Sequence, residues 1–180
     1  MPRRVVVTGL GLISPLGVGT QATWDGLVTG RSGAGPVTKF DAEGYAVRIA
    51  AEVKDFDPSP WFEHKEIKKF DTFVHYAVAA SDMALNQSGL EIDDGNAERI
   101  GVVIGSGIGG FPMIERNHEA LLNRGPKRVS PFFIPGSIIN MCSGQVSIRT
   151  GAKGPNMATC TACSTCLLYT SDAADDVSTV

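Results

Sequence analysis

Gly154-Pro155-Asn156-Met157-Ala158-Thr159-Cys160-Thr161-Ala162-Cys163-Ser164-Thr165 is the stretch that decides how this chain is read. Gly-Pro makes a turn, and residues 156–159 read as a buried strand leaving it. Small residues then crowd Cys163, as a tight strand-to-helix turn requires. A thiol delivered there faces the positive end of the helix that follows, which favours thiolate over thiol. Thiolate is the nucleophilic form, so such a turn makes a nucleophile without a metal. A lone cysteine is more often a small buried hydrophobe. Here the flanking residues and the rest of the chain favour the nucleophile.

Working outward, strand and helix signals alternate, the pattern of an α/β layer fold. Residues 4–8 form a β-branched strand closed by Gly9 and Gly11, residues 20–30 a helix, and residues 47–53 an alternating strand before a loop with Pro58 and Pro60. The longest helix is expected over 65–87, with Ile67, Phe70, Phe73, Val74, Ala77, Ala84 and Leu85 at helical spacing and Gly89 ending it. Residues 99–104 make an apolar strand suited to a sheet covered on both faces. Helices over 113–123 and 134–150 complete the body, without internal repeats.

The chain has 180 residues, 43% hydrophobic and 19% charged, which fits a soluble globular protein with a sizeable core. No apolar run reaches the length of a membrane span, and nothing at the N-terminus reads as a secretory signal. A cytoplasmic location is therefore expected, with no membrane partner. A net charge of −3 gives no reason to expect nucleic acid. Cys160, Cys163 and Cys166 have the C-x-x-C-x-x-C spacing of a metal cluster, but a fourth ligand would have to be Cys142 or a remote histidine. No metal is expected.

Gly105-Ser106-Gly107-Ile108-Gly109-Gly110 follows a strand and satisfies G-x-G-x-x-G. A dinucleotide fingerprint also needs an acidic residue ending a second strand about 20 residues later. That region instead reads Leu121-Leu122-Asn123-Arg124-Gly125-Pro126, a helix end and a turn. The loop is better read as backbone in close approach beside a pocket, with Ile108 pointing into it. A nucleotide-binding oxidoreductase using Gly105–Gly110 stays as the weaker alternative.

The chain resembles the β-ketoacyl-acyl-carrier-protein synthases, most of all the elongating type II enzymes of fatty-acid synthesis. The matching stretches are VVVTGLGLISPLG, KKFDTFVHYAVAASDMAL, RIGVVIGSGIGG, VSPFFIPGSIINM and GPNMATCTACST, in the family's order over residues 3–165. The resemblance implies a thiolase-like layered α-β-α-β-α fold, assembled as a homodimer, of which residues 1–165 supply the first half. It makes Cys163 the acyl-accepting nucleophile, with its N–H in the oxyanion hole. The substrates carry phosphopantetheine on acyl carrier protein, and no resident cofactor is implied. Malonyl-acyl carrier protein then elongates the chain by decarboxylative condensation, with two histidines from the second half. His64, His75 and His118 match neither of these and read as surface or partly packed residues. Lys65, Lys68 and Lys69 share one face, and the resemblance puts carrier-protein docking there; alone they read as a solvated face. Ile108, Phe132 and Phe133 would line or gate the acyl pocket, or simply pack. A polyketide ketosynthase shares the cysteine turn and is the nearer alternative.

After Thr165 the family pattern stops. Cys166-Leu167-Leu168-Tyr169-Thr170-Ser171-Asp172-Ala173-Ala174-Asp175-Asp176 resembles a translated transposase-based sequencing-library adapter. Residues 166–180 are accordingly expected to be a non-family tail. They hold Asp172, Asp175 and Asp176 and no Lys or Arg, so the whole net charge of −3 comes from them. A chain cut at the nucleophile turn is expected to be inactive and prone to aggregate.

Overall fold

Short strands and α-helices alternate along residues 4–165, the part of the chain that the computed structural model describes. A first hairpin pairs β1 (Ile13–Ser14) with β2 (Gly17–Val18), and helix α1 (Thr20–Val28) follows it. A second antiparallel pair joins β3 (Gly35–Pro36) to β4 (Ile49–Ala50). Helices α2 (His64–Ile67) and α3 (Thr72–Ser88) lead into β5 (Val102–Gly105). Helices α4 (Phe111–Arg124), α5 (Phe133–Ser137) and α6 (Met141–Thr150) then cross over to β6 (Asn156–Thr159).

β6 returns parallel to β5, in a register that runs from Val102 opposite Asn156 to Gly105 opposite Thr159. A parallel return needs such a crossover, here supplied by three helices. α6 packs on the strand pair and α3 packs on α6. The core lies between them: Phe62, Val74, Val78, Cys142 and Val146 are buried, with Val102 and Ile104 packed against them. Each such side chain contributes roughly 1.5–3 kcal/mol of burial. Val74 and Val78 lie one turn apart, so a single stripe of α3 supplies much of this cluster. Among the described residues no helix is long and apolar enough to cross a membrane.

Several expected elements differ. The single helix over 65–87 is two, because Asp71 adopts an extended conformation (φ −84°, ψ 164°) and its carboxylate caps a fresh helix at Thr72. The far end behaves as read: Gly89 is left-handed at φ 66° and its N–H closes on Leu85 O. Helix 134–150 also breaks, at an extended Ile138 (φ −76°, ψ 141°). Residues 4–8 join no ladder, and Val5, Val6 and Val7 are 61%, 65% and 79% exposed. A strand needs a neighbour, and none of the described residues pairs with this one. Only Ile49–Ala50 of the strand over 47–53 enters a ladder, against a partner whose Pro36 has no N–H to give. Val103 is 41% exposed, so among the described residues β5 is covered on one face and not on both.

Candidate functional site

Cys163 sits beyond the carboxyl end of β6, beside the carboxyl end of β5, where parallel sheets characteristically build their sites. Residues Ala162–Ser164 form one turn of 3₁₀ helix. Ala162 has φ 51°, a left-handed conformation that costs a residue with a side chain on the order of 1–3 kcal/mol and persists only when its surroundings enforce it. The enforcing residue is Thr165, 4% exposed. Its hydroxyl accepts from Thr161 N–H at 2.8 Å and donates to Ala162 O at 2.7 Å, clamping the turn across its base. Ser164 adds a second tie, donating its N–H at 3.2 Å and its hydroxyl at 2.8 Å to Thr161 O.

The glycine loop is the other wall of the site. Ser106 N–H donates to Thr159 O at 3.1 Å and the Cys160 thiol donates to Gly107 O at 3.3 Å, lacing loop and turn together. A side chain at Gly105 would fall on Thr165 Cγ2. Gly109 (φ 95°) and Gly110 come equally close to the backbone of the segment after Phe133: added Cβ atoms would stand 2.5 Å from Ser137 O and 2.7 Å from Gly136 O. These glycines are thus spent on contacts with the chain's own backbone and on one positive φ, which accounts for the pattern without a phosphate. A helix, α4, does open directly after the loop.

Cys163 lines a cavity of 650 Å³ together with Gly11, Ala77, Ala80, Gly105 and Ala162. Small residues of α3 and of the segment 9–12 line this space, and Gly11 rests directly on the α3 backbone at Ala80. A smaller cavity of 250 Å³, between Trp61, Asp82 and Arg149, is lined by no cysteine. Cys142, by contrast, lies in the core, and burial pushes its thiol up to about 12. Cys160 and Cys163 are exposed while Cys142 is buried, and among the described residues no set of His, Cys, Asp and Glu is placed to hold a metal; Cys166 lies outside those residues, as does the whole tail from 166 to 180.

The other expected site residues are more scattered. Ile108 lies in the glycine loop and is 68% exposed, outside the lining of the Cys163 cavity. Phe132 is partly exposed and lies under Lys69, whose Nζ is 5.5 Å from the ring centroid. Phe133 opens α5. Lys65 lies in α2 and Lys68 caps its end, both exposed, so the three lysines line a helix end and the bend after it. His64 and His118 are exposed. His75 is buried at 6%, edge-on to Phe62 at 4.8 Å, with no hydrogen-bond partner for Nε2. Burial lowers its pKa from 6.5, against the opposing pull of Asp71. No histidine lines the cavity among the described residues.

Two residues that matter were missed. Asp71 carried a local signal, an Asp–Thr pair ahead of an apolar-periodic run, which is an N-cap signature. Thr165 is bonded locally, to Thr161 and Ala162, but its contact with Gly105 exists only once β5 and β6 pair, and nothing in the sequence announced it.

The family model for the β-ketoacyl synthase N-terminal domain matches residues 2–179. Over 163 residues the chain is 55% identical to 3-oxoacyl-[acyl-carrier-protein] synthase 2 of Coxiella burnetii, covering 91% of this chain and 39% of that protein. Among solved structures, the ishigamide ketosynthase/chain length factor is similar at a TM-score of 0.74 and 35% identity, over 90% of this chain and 40% of that one. A type II PKS acyl-carrier protein in complex with its ketosynthase bound to the hexaketide is similar at 0.66 and 26%, over 84% and 40%. The chain thus spans about two fifths of the length of these relatives. The fold class read from the sequence stands: α/β, of the thiolase-like kind, in its first half. With its glycine loop and cysteine turn laced together at the ends of two parallel strands, this chain belongs to the β-ketoacyl synthase family, whose N-terminal domain it carries.

Proposed function

We propose that Cys163 accepts an acyl chain from acyl carrier protein and that the protein elongates it with malonyl-acyl carrier protein. The observation that carries this is Cys163 on a strained, clamped turn opening onto a 650 Å³ cavity. The thiolate attacks the thioester carbonyl, the oxygen gathers negative charge, and the phosphopantetheine thiol leaves as the acyl-cysteine forms. The Cys163 N–H is proposed as one donor to that oxygen. Loss of carbon dioxide from the malonyl unit gives the carbanion that displaces the acyl group from Cys163, forming the new carbon–carbon bond. The groups that assist this second step are not among the described residues lining the cavity, so residues 4–165 by themselves are expected to be inactive in condensation.

Acyl carrier protein is acidic in the family the chain resembles, and Lys65, Lys68 and Lys69 are the proposed docking residues, by charge complementarity. Ile108, Phe132 and Phe133 are the proposed pocket residues. Phosphopantetheine arrives with the substrate, and no resident cofactor is proposed. A homodimer and a cytoplasmic location belong to the same reading. The test is mass spectrometry of the full-length protein incubated with acyl-acyl carrier protein: an acyl mass on the peptide holding Cys163, lost in Cys163→Ala, is the expected result. A protein that stays unmodified, or is acylated elsewhere, overturns it. The polyketide alternative draws on the carrier-bound ketosynthase among the similar structures. Analysis of the products from defined starter chains separates the two, by whether the β-keto product is extended repeatedly without reduction.

A further inference from the structure

The segments bearing Lys69, Ile108 and Phe132 meet at one buried carboxylate that the chemistry above does not use. Asp71 is 3% exposed. Its Oδ1 accepts the Thr72 N–H at 2.7 Å in the first turn of α3, and its Oδ2 accepts the Met113 N–H at 2.6 Å in the first turn of α4. A single negative charge thereby serves two helix N-termini, each of which presents partial positive charge, through the stronger kind of hydrogen bond. The Asp71 N–H donates to Gly136 O at 3.3 Å, and the Gly110 N–H to Ser137 O at 2.9 Å. The packing around it demands glycine: a Cβ on Gly110 would stand 3.0 Å from Asp71 Cβ, and one on Gly136 would stand 2.6 Å from Lys69 O.

The loop carrying Ile108 is therefore held at both ends. At Gly105 it is fixed by β5 and Thr165, next to the nucleophile. At Met113 it is fixed by Asp71, two residues after Lys69, whose ammonium lies over Phe132. We propose that Asp71 is a positioning residue that sets the Ile108 loop and Phe132 against the lysine segment, and so governs which acyl chains reach Cys163 and how the carrier presents them. This rests on the condensing reading given above.

The test uses the full-length synthase that carries this segment. Asn is a good N-cap, so Asp71→Asn keeps the bond to Thr72 but turns an amide N–H toward the Met113 N–H. The KM for acyl-acyl carrier protein should rise roughly 2- to 30-fold and the preference among short, medium and long chains should shift, with kcat on a saturating preferred chain within about twofold of the parent. Asp71→Ser, which caps α3 but is too short to reach Met113, should do the same, and serves if the Asn variant fails to fold. Asp71→Glu, which keeps the charge, should recover part of the loss. An unchanged KM and chain preference, whether or not the melting temperature falls, confines Asp71 to a structural role and overturns the proposal. A parent protein that puts no acyl group on Cys163 sinks the condensing reading itself, a result visible before any Asp71 variant is compared.

Discussion

The two sides of the β5–β6 pair differ sharply. On one side α6 and α3 bury Val74, Cys142 and Ser143 almost completely, and Val102 and Ile104 pack inward. On the other, Val103 and Met157 are 41% and 50% exposed; elsewhere the β-branched run Val5–Val7 is exposed and joins no ladder among the described residues. Val103 and Met157 are as apolar as Val102 and Ile104, so hydrophobicity does not separate them; what differs is whether the described residues supply a cover. An apolar strand face that the described residues leave uncovered favours association.

Substituting a carboxylate into the core and into the exposed run Val5–Val7 gives the largest contrast. Val74→Asp should cost more than about 4 kcal/mol and abolish cooperative folding in a denaturant titration, whereas Val6→Asp should stay within about 0.5 kcal/mol. Equal damage from both would show that the run Val5–Val7 is covered after all. Residues 4–165 produced alone should sediment as oligomers, and Val6→Lys with Val103→Lys should move them toward monomer. A monodisperse parent fragment would break the comparison from the other direction.

The cysteine turn spans the boundary between the two sides. Gly105→Val drives a side chain onto Thr165 and should destabilise by about 1–3 kcal/mol while changing the alkylation rate of Cys163, read by peptide mass spectrometry. Thr165→Val keeps the shape and strips the bonds to Thr161 and Ala162, so a loss of about 1–2 kcal/mol is expected, with the same readout. Thiol labelling contrasts the two sides directly. Iodoacetamide should modify exposed Cys163 in the native protein and Cys142 only after unfolding, because burial holds the Cys142 thiol at about 12.

The smallest effect expected is that of His75. Its folded pKa is depressed below 6.5, so the unfolded chain takes up the proton more readily. The stability associated with a neutral His75 is present above pH 6.5 and is lost as pH falls through the depressed value. His75→Phe should flatten that part of the pH–stability curve, and an unaltered curve would show that other groups produce it.

Cys163 was legible in the sequence because its signal is local: a turn, a short strand, small residues and a thiol all lie within twelve positions. The Gly105–Gly110 loop was legible as close-packed backbone, but the atoms it packs against were not. They come from residues 136–137 and 165, which reach it only through the crossover. The break at Asp71 was hidden by an apolar rhythm that continues across it, since periodicity reports which face is buried and says nothing about whether the helix is continuous. The strand over residues 4–8 was read from β-branched composition, yet a ladder is a property of two strands and composition describes one.

The sequence by itself determined what is local or repeated at short range: the α/β alternation, the helix stop at Gly89, and membership of the β-ketoacyl synthases. Tertiary structure alone decided which backbone groups find partners. It brought the Asp71 carboxylate to Met113, 42 residues away, so that one side chain serves two helix N-termini, and it set Gly105 against Thr165 through the pairing of β5 with β6. Each of these joins groups distant along the chain, and a partner's identity is fixed by the packing that brings it within reach.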